Sequence, residues 1–242
     1  MQSHTNAPRT LQPFGLIASV ALFTAAGVLL CIVTHGLIPA FASRSGMEPV
    51  LLWFFFGAFG VFVPLLVAAH VILRREAGTA GWSRERLRFR RLTPNDWRWT
   101  LGGIVAIGLL SGLSVAVLTM FFRNVALHPA FMRMDALTAD RYWILVVWLP
   151  FWILNIAAEE CLWRGVVLPR QEIAFGRWAW LVNGAGWLLF HLAFGPTILL
   201  TLWPITFILP FIVQRTKNAW TGVLIHAALN GPAFVAIAFG FV

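Results

Sequence analysis

An all-α, polytopic membrane helical bundle is the fold class that this sequence predicts, and three observations predict it. The chain of 242 residues is 60% hydrophobic and only 11% charged, with a mean hydropathy of +0.80, far above the balance of a soluble globular chain. Its apolar residues gather into segments of roughly 20, the length an α-helix needs to cross a bilayer core. The connections between those segments carry most of the arginines.

Seven such segments can be marked, at 14–39, 50–73, 100–122, 142–163, 178–195, 196–213 and 219–242. About seven transmembrane helices are therefore expected, in a single membrane-embedded unit covering 1–242, since no internal repeat, low-complexity linker or soluble domain interrupts them. The first segment follows only Arg9, outruns a signal-peptide core and lacks a small-residue cleavage site, so it is expected to stay as a span. Segments five and six are parted only by Gly195-Pro196, a turn signal that fits a tight hairpin or a partly re-entrant pair. Cys31 and Cys161 both lie in apolar sequence, where buried thiols pack and a disulfide framework is not expected.

The net charge of +9 invites a nucleic-acid reading, but the basic residues are distributed as membrane topology requires. The stretch 74–91 supplies seven arginines and Arg98 adds another. Short loops rich in Lys and Arg stay cytoplasmic, so this loop is assigned inside, with the N-terminus beside it and the C-terminus outside. Fourteen basic residues then fall inside (Arg9, the eight above, Arg164, Arg170, Arg177, Arg215 and Lys217) against four outside (Arg44, Arg123, Arg133 and Arg141). The lipid bilayer, and no nucleic acid, is the expected partner, with anionic lipid a second use for the arginine loop.

Of the nine acidic residues, only Glu159 and Glu160 are flanked on both sides by apolar sequence. Ionisable groups at membrane depth are costly and mark functional sites by default; a span that simply ends at Ala158 is the plainer reading. Neighbouring helical positions differ by about 100° around the axis and cannot face the same cavity. Glu160 and Arg164 stand at i and i+4, the spacing of an acid–base side-chain pair, which leaves Glu159 as the candidate general base and Glu160 as the structural partner of Arg164.

His191 and His226 both sit deep in apolar runs, and His35 and His70 also lie within or at the end of such runs, so burial alone selects none of them. His226 is distinguished by Asn230 four residues on, which puts two neutral polar groups on one helical face; interhelical hydrogen bonding would explain the pair as well as catalysis would. If the helix bearing Glu159 runs to a turn near Gly176, Glu159 lies 17 residues before it and His191 15 after it, at nearly one level. His226 lies nine residues beyond Lys217, so the three are expected to converge in the cytoplasmic half.

These residues resemble the CPBP intramembrane proteases, the group that includes the CAAX prenyl endopeptidases of the Rce1 kind and bacterial Abi-type relatives. E-E-C-L-W-R at 159–164 is similar to the EExxxR motif, His191 falls where FxxxH has its His, and H-A-A-L-N at 226–230 matches HxxxN. Trp187 stands where the second motif has Phe, keeping a bulky aromatic, and the likeness covers about 140–235. The resemblance implies hydrolysis of a peptide bond, with a peptide or membrane-protein substrate. It assigns Glu159 and His191 to hold and activate a water, and His226 with Asn230 to stabilise the oxyanion. One Glu with two His is also an acceptable zinc set by residue type, but no HExxH pair is present and no cofactor is expected. The expected setting is a bacterial plasma membrane, multi-pass, with the N-terminus cytoplasmic. A non-catalytic scaffold or immunity protein, and a transporter with a buried Glu/His site, are the competing functions.

Overall fold

The structure, a computed structural model, describes residues 11–77, 84–123 and 125–241; Arg9 and the central part of the arginine loop lie outside them. Every regular element among the described residues is helical. α1 spans Leu16–Ser45 and α2 Pro49–Arg75. α3 is Pro94–Phe121. α4 opens as Trp143–Glu159, widens into a π-helix at Glu160–Val167 and closes as Leu168–Phe175. α5 is Ala179–Phe190, α6 Pro196–Thr216 and α7 Ala219–Ala238.

Six candidate spans are counted among the described residues, because Trp143–Phe194 is one unbroken helical run of 52 residues. That run folds back on itself at Gly176, whose φ of 54° is open to glycine, so it forms two rods, α4 and α5. The fold-back is held by Asn183 of α5, which donates to the Gln171 side chain (2.9 Å) and to the Trp163 carbonyl (3.2 Å) of α4. Gln171 in turn donates to Ser19 of α1 (3.0 Å), so three helices share one buried polar chain.

Helix ends extend past the apolar segments wherever local chemistry lets them. α3 starts at Pro94, not 100, because Thr93 and Asp96 form a capping box (3.2 and 2.9 Å) with proline in the first turn. Asn218 caps α7 by accepting from the Trp220 N–H (3.1 Å). α1 ends on Gly46 in the left-handed conformation (φ 69°).

The helices close a ring in the order α1, α5, α6, α3, α7, α4, α2 and back to α1, with α6 also packing on α7. Hydrophobic force does not drive helices together in lipid, so small residues must let them approach closely. Gly186 serves this at the α1–α5 seam, where a Cβ would lie 2.2 Å from the Phe23 ring; Gly184 serves it at the α5–α6 seam, 2.7 Å from the Thr206 carbonyl.

The ring has two chemically distinct ends. At one, Arg88 grips Glu172 in a bidentate pair (2.8 Å each), Lys217 joins the same carboxylate (2.5 Å), the Ala219 N–H donates to the Arg88 carbonyl (2.9 Å), and the Phe14 N–H donates to the Arg170 carbonyl (3.2 Å). The arginine loop, the Gly176 turn, the α6–α7 turn and the start of α1 thus lie together, the grouping that the charge distribution predicts. At the other end Arg141 pairs with Glu48, the Leu137 N–H donates to the Ala238 carbonyl (2.8 Å), and Phe131 meets Phe194.

Candidate active site

Glu159 and Glu160 face different partners, as adjacent helical positions must. Glu159, 2% exposed, lines a cavity of about 390 Å³ inside the ring, whose walls include residues of all seven helices. Glu160 is absent from that lining and fully buried, 3.2 Å from Arg164 Nη1. The π-helix begins at Glu160, and such i→i+5 stretches are frequent at functional sites.

Glu160 has a second partner that the sequence did not single out. His226 Nδ1 lies 2.9 Å from Glu160 Oε1, and because a carboxylate only accepts, His226 donates. The other oxygen, Glu160 Oε2, fits against α7 only because residue 222 is glycine: a Cβ there would lie 2.4 Å from it. Gly222 is four residues before His226, so spacing on one helical face is the signal that could have found it.

Trp187 is the hub of the site. Its indole N–H donates to Glu159 Oε2 (2.5 Å), the Arg164 guanidinium lies 3.6 Å from the centre of its ring, and the rings of His191 and His226 meet it edge-on at 5.6 and 5.3 Å. Tryptophan at this position therefore supplies a proton donor to Glu159 in addition to bulk, which the comparison with Phe had not anticipated. Arg164, with no exposed surface, has its charge faced by Glu160 and by the π face of Trp187.

His191 lies at the far end of α5, where it opens the short 3₁₀ turn His191–Phe194. Its Nδ1 is 2.8 Å from the Trp187 carbonyl, which can only accept, so Nδ1 carries the proton and Nε2 is left with its lone pair in the neutral ring. Asn230 lies one turn beyond His226 and lines the same cavity as Glu159, His191 and His226. Among the described residues no three His, Cys, Asp or Glu side chains group closely enough to hold a metal ion. Cys31 and Cys161 are free.

On α6 and α7 the cavity lining runs over Ile198–Thr206 and His226–Ile237, and it reaches Leu127, His128 and Met132 in the loop after α3. Trp187, one turn before His191, meets Glu159, and His191 sits farther toward the Gly195 turn.

No curated protein and no solved structure matches the chain. Residues 141–231, which carry Glu159, Glu160, Arg164, Trp187, His191, His226 and Asn230, match the family model described as Rce1-like, type II CAAX prenyl endopeptidase. Through this segment the chain, whose long apolar helices mark an integral multi-pass membrane protein, is similar to the Rce1-like CAAX prenyl endopeptidases.

Proposed function

We propose that the chain is an intramembrane endopeptidase that cleaves a peptide bond with a water activated by Glu159. The observation that carries this reading is the placement of Glu159, His191, His226 and Asn230 around one cavity, with Glu160 and Arg164 behind its wall. A water held between the Glu159 carboxylate and the free Nε2 of His191 gives its proton to Glu159 as its oxygen attacks the substrate carbonyl carbon. The charge that develops on the carbonyl oxygen is met by the Asn230 side-chain amide and by His226. As an imidazolium His226 donates from both nitrogens, Nδ1 to Glu160 and Nε2 to the oxyanion. Glu159 then returns the proton to the amine nitrogen as the C–N bond breaks.

With His226 protonated, Glu159, Glu160, Arg164 and His226 carry two negative and two positive charges, so the buried set is neutral. The reading needs no zinc: Asn230 has a task as an oxyanion donor, and the carboxylate and imidazoles do not form a ligand cluster. The test is Glu159→Gln, which keeps size and removes the base; cleavage should fall about 10²- to 10⁴-fold with protein level unchanged. Full cleavage by this variant would sink Glu159 as the base, whereas no cleavage by the wild type would leave a scaffold or a transporter, the latter tested by substrate uptake.

A further inference from the structure

Two polar atoms in the cavity wall are not used by the reaction. Trp152, Asn155 and Glu159 stand at i, i+3 and i+7 on α4 and form one stripe along the cavity. Trp152 Nε1, a donor, and Asn155 Oδ1, an acceptor, are buried without a partner among the described residues. Asn155 is only 9% exposed. Other side-chain atoms share that condition, on Glu160, Trp163, Arg164 and Asn183, but none of those residues lines the cavity. A buried donor or acceptor left unmade costs stability, so an orphan pair facing a cavity points to a ligand that satisfies it.

An extended peptide main chain presents carbonyls and N–H groups in alternation, and the stripe offers one complement to each. At 1.5 Å rise per residue, Asn155 lies roughly 6 Å and Trp152 roughly 10 Å along α4 from Glu159. An extended chain advances about 3.3 Å per residue, so both contacts fall within about three residues of a bond positioned at Glu159. The indole is held in place by the wall: it lies 5.4 Å from the Trp148 ring, and a Cβ on Gly231 of α7 would already be 3.2 Å from it.

We propose that Trp152 and Asn155 hold the main chain of an extended peptide substrate, Trp152 donating to a substrate carbonyl and Asn155 accepting a substrate amide N–H. This deepens the protease reading and rests on it. The stripe runs from Glu159 toward the start of α4, so the held part of the substrate lies on the side of the cavity that the Leu127–Met132 loop closes.

The experiment uses the full-length protein in detergent and an internally quenched peptide selected from a mixed-sequence library for cleavage that depends on Glu159. Matched peptides replace one backbone amide at a time, within three residues of the cleaved bond, by an ester, which deletes the N–H. One ester position should raise KM about tenfold with kcat little changed, the loss of one buried hydrogen bond. Asn155→Leu should raise KM equally and be indifferent to that ester, while Asn155→Gln recovers part of the affinity. The proposal is overturned if folded Asn155→Leu binds normally, or if its loss multiplies with that of every ester. Failure of the protease reading looks different: no library peptide is cleaved. Retention of fluorescent amide and ester versions of the library on immobilised protein then decides, and equal discrimination by wild type and Asn155→Leu overturns the proposal.

Discussion

Replacing Gly222 by alanine adds one methyl group at the place where α7 meets the Glu160 carboxylate. The new Cβ would lie 2.4 Å from Glu160 Oε2, 3.0 Å from Val213 Cγ2 and 3.3 Å from Leu209 Cδ2. Comfortable non-bonded separations are about 3.5 Å or more, so the carboxylate must retreat by about 1 Å or α7 must move away as a unit. A retreat of that size takes the 2.9 Å contact with His226 Nδ1 beyond hydrogen-bonding range and loosens the 3.2 Å contact with Arg164. Overpacking alone costs about 1 to 3 kcal/mol, and breaking a buried charge pair costs about 3 to 5 kcal/mol. Partial relaxation puts the net at about 2 to 4 kcal/mol, a fall in Tm of roughly 5 to 15 °C for a chain of this size. Helix propensity works the other way, favouring alanine by about 1 kcal/mol, so a loss must come from the contact. Gly108, on α3 with nothing near a Cβ, is the control, and Gly108→Ala should leave Tm unchanged or slightly raised. Unfolding followed by intrinsic fluorescence in detergent, and cleavage of the quenched peptide, supply the two readouts. Glu160→Asp, which withdraws the carboxylate by one methylene, should restore part of the Tm of Gly222→Ala. A Gly222→Ala protein with wild-type Tm and activity would refute the link between Gly222, Glu160 and His226.

Three further outcomes follow from the same geometry. Trp187→Phe deletes the proton donor to Glu159 Oε2 while keeping a ring beside Arg164, so kcat should drop roughly tenfold, as for one lost charged hydrogen bond, with KM nearly constant; an unchanged kcat would show that the indole N–H does not position Glu159. Purified protein should keep its activity through prolonged chelation, and Asn230→Ala should lower kcat by about 10²-fold, the scale of a lost oxyanion donor; one tightly bound zinc per chain, with activity lost on removal and restored on return, would overturn the metal-free mechanism. Impermeant cysteine labelling should reach 84–91 and Arg177 from the cytoplasmic face and His128→Cys only from the opposite face, because arginine-rich ends stay inside; labelling of all three from one side contradicts the grouping of the two ends.

Much of this molecule is written locally and was legible in the chain itself. Insertion into a bilayer is decided by windows of roughly 20 residues, so the helical class and the two ends, separated by arginine distribution, follow from composition along the sequence. The opposed facing of Glu159 and Glu160 follows from helical geometry, and the Glu160–Arg164 contact from i, i+4 spacing. The two rods joined at Gly176 were also separate in the sequence, as 142–163 and 178–195, although the structure carries them in one helical run of 52 residues. What required the tertiary structure is every relation between helices. That Trp187 gives its N–H to Glu159, that His226 rests on Glu160, that Gly222 makes room for this, and that Asn155 faces the cavity all depend on which faces meet when seven helices close a ring. The π-helix at Glu160–Val167 changes the register of those faces by a residue, and His191 opens the 3₁₀ turn after α5. Packing sets these relations through close approach at small residues and through buried polar partners far apart in sequence, so no single window of the chain contains them.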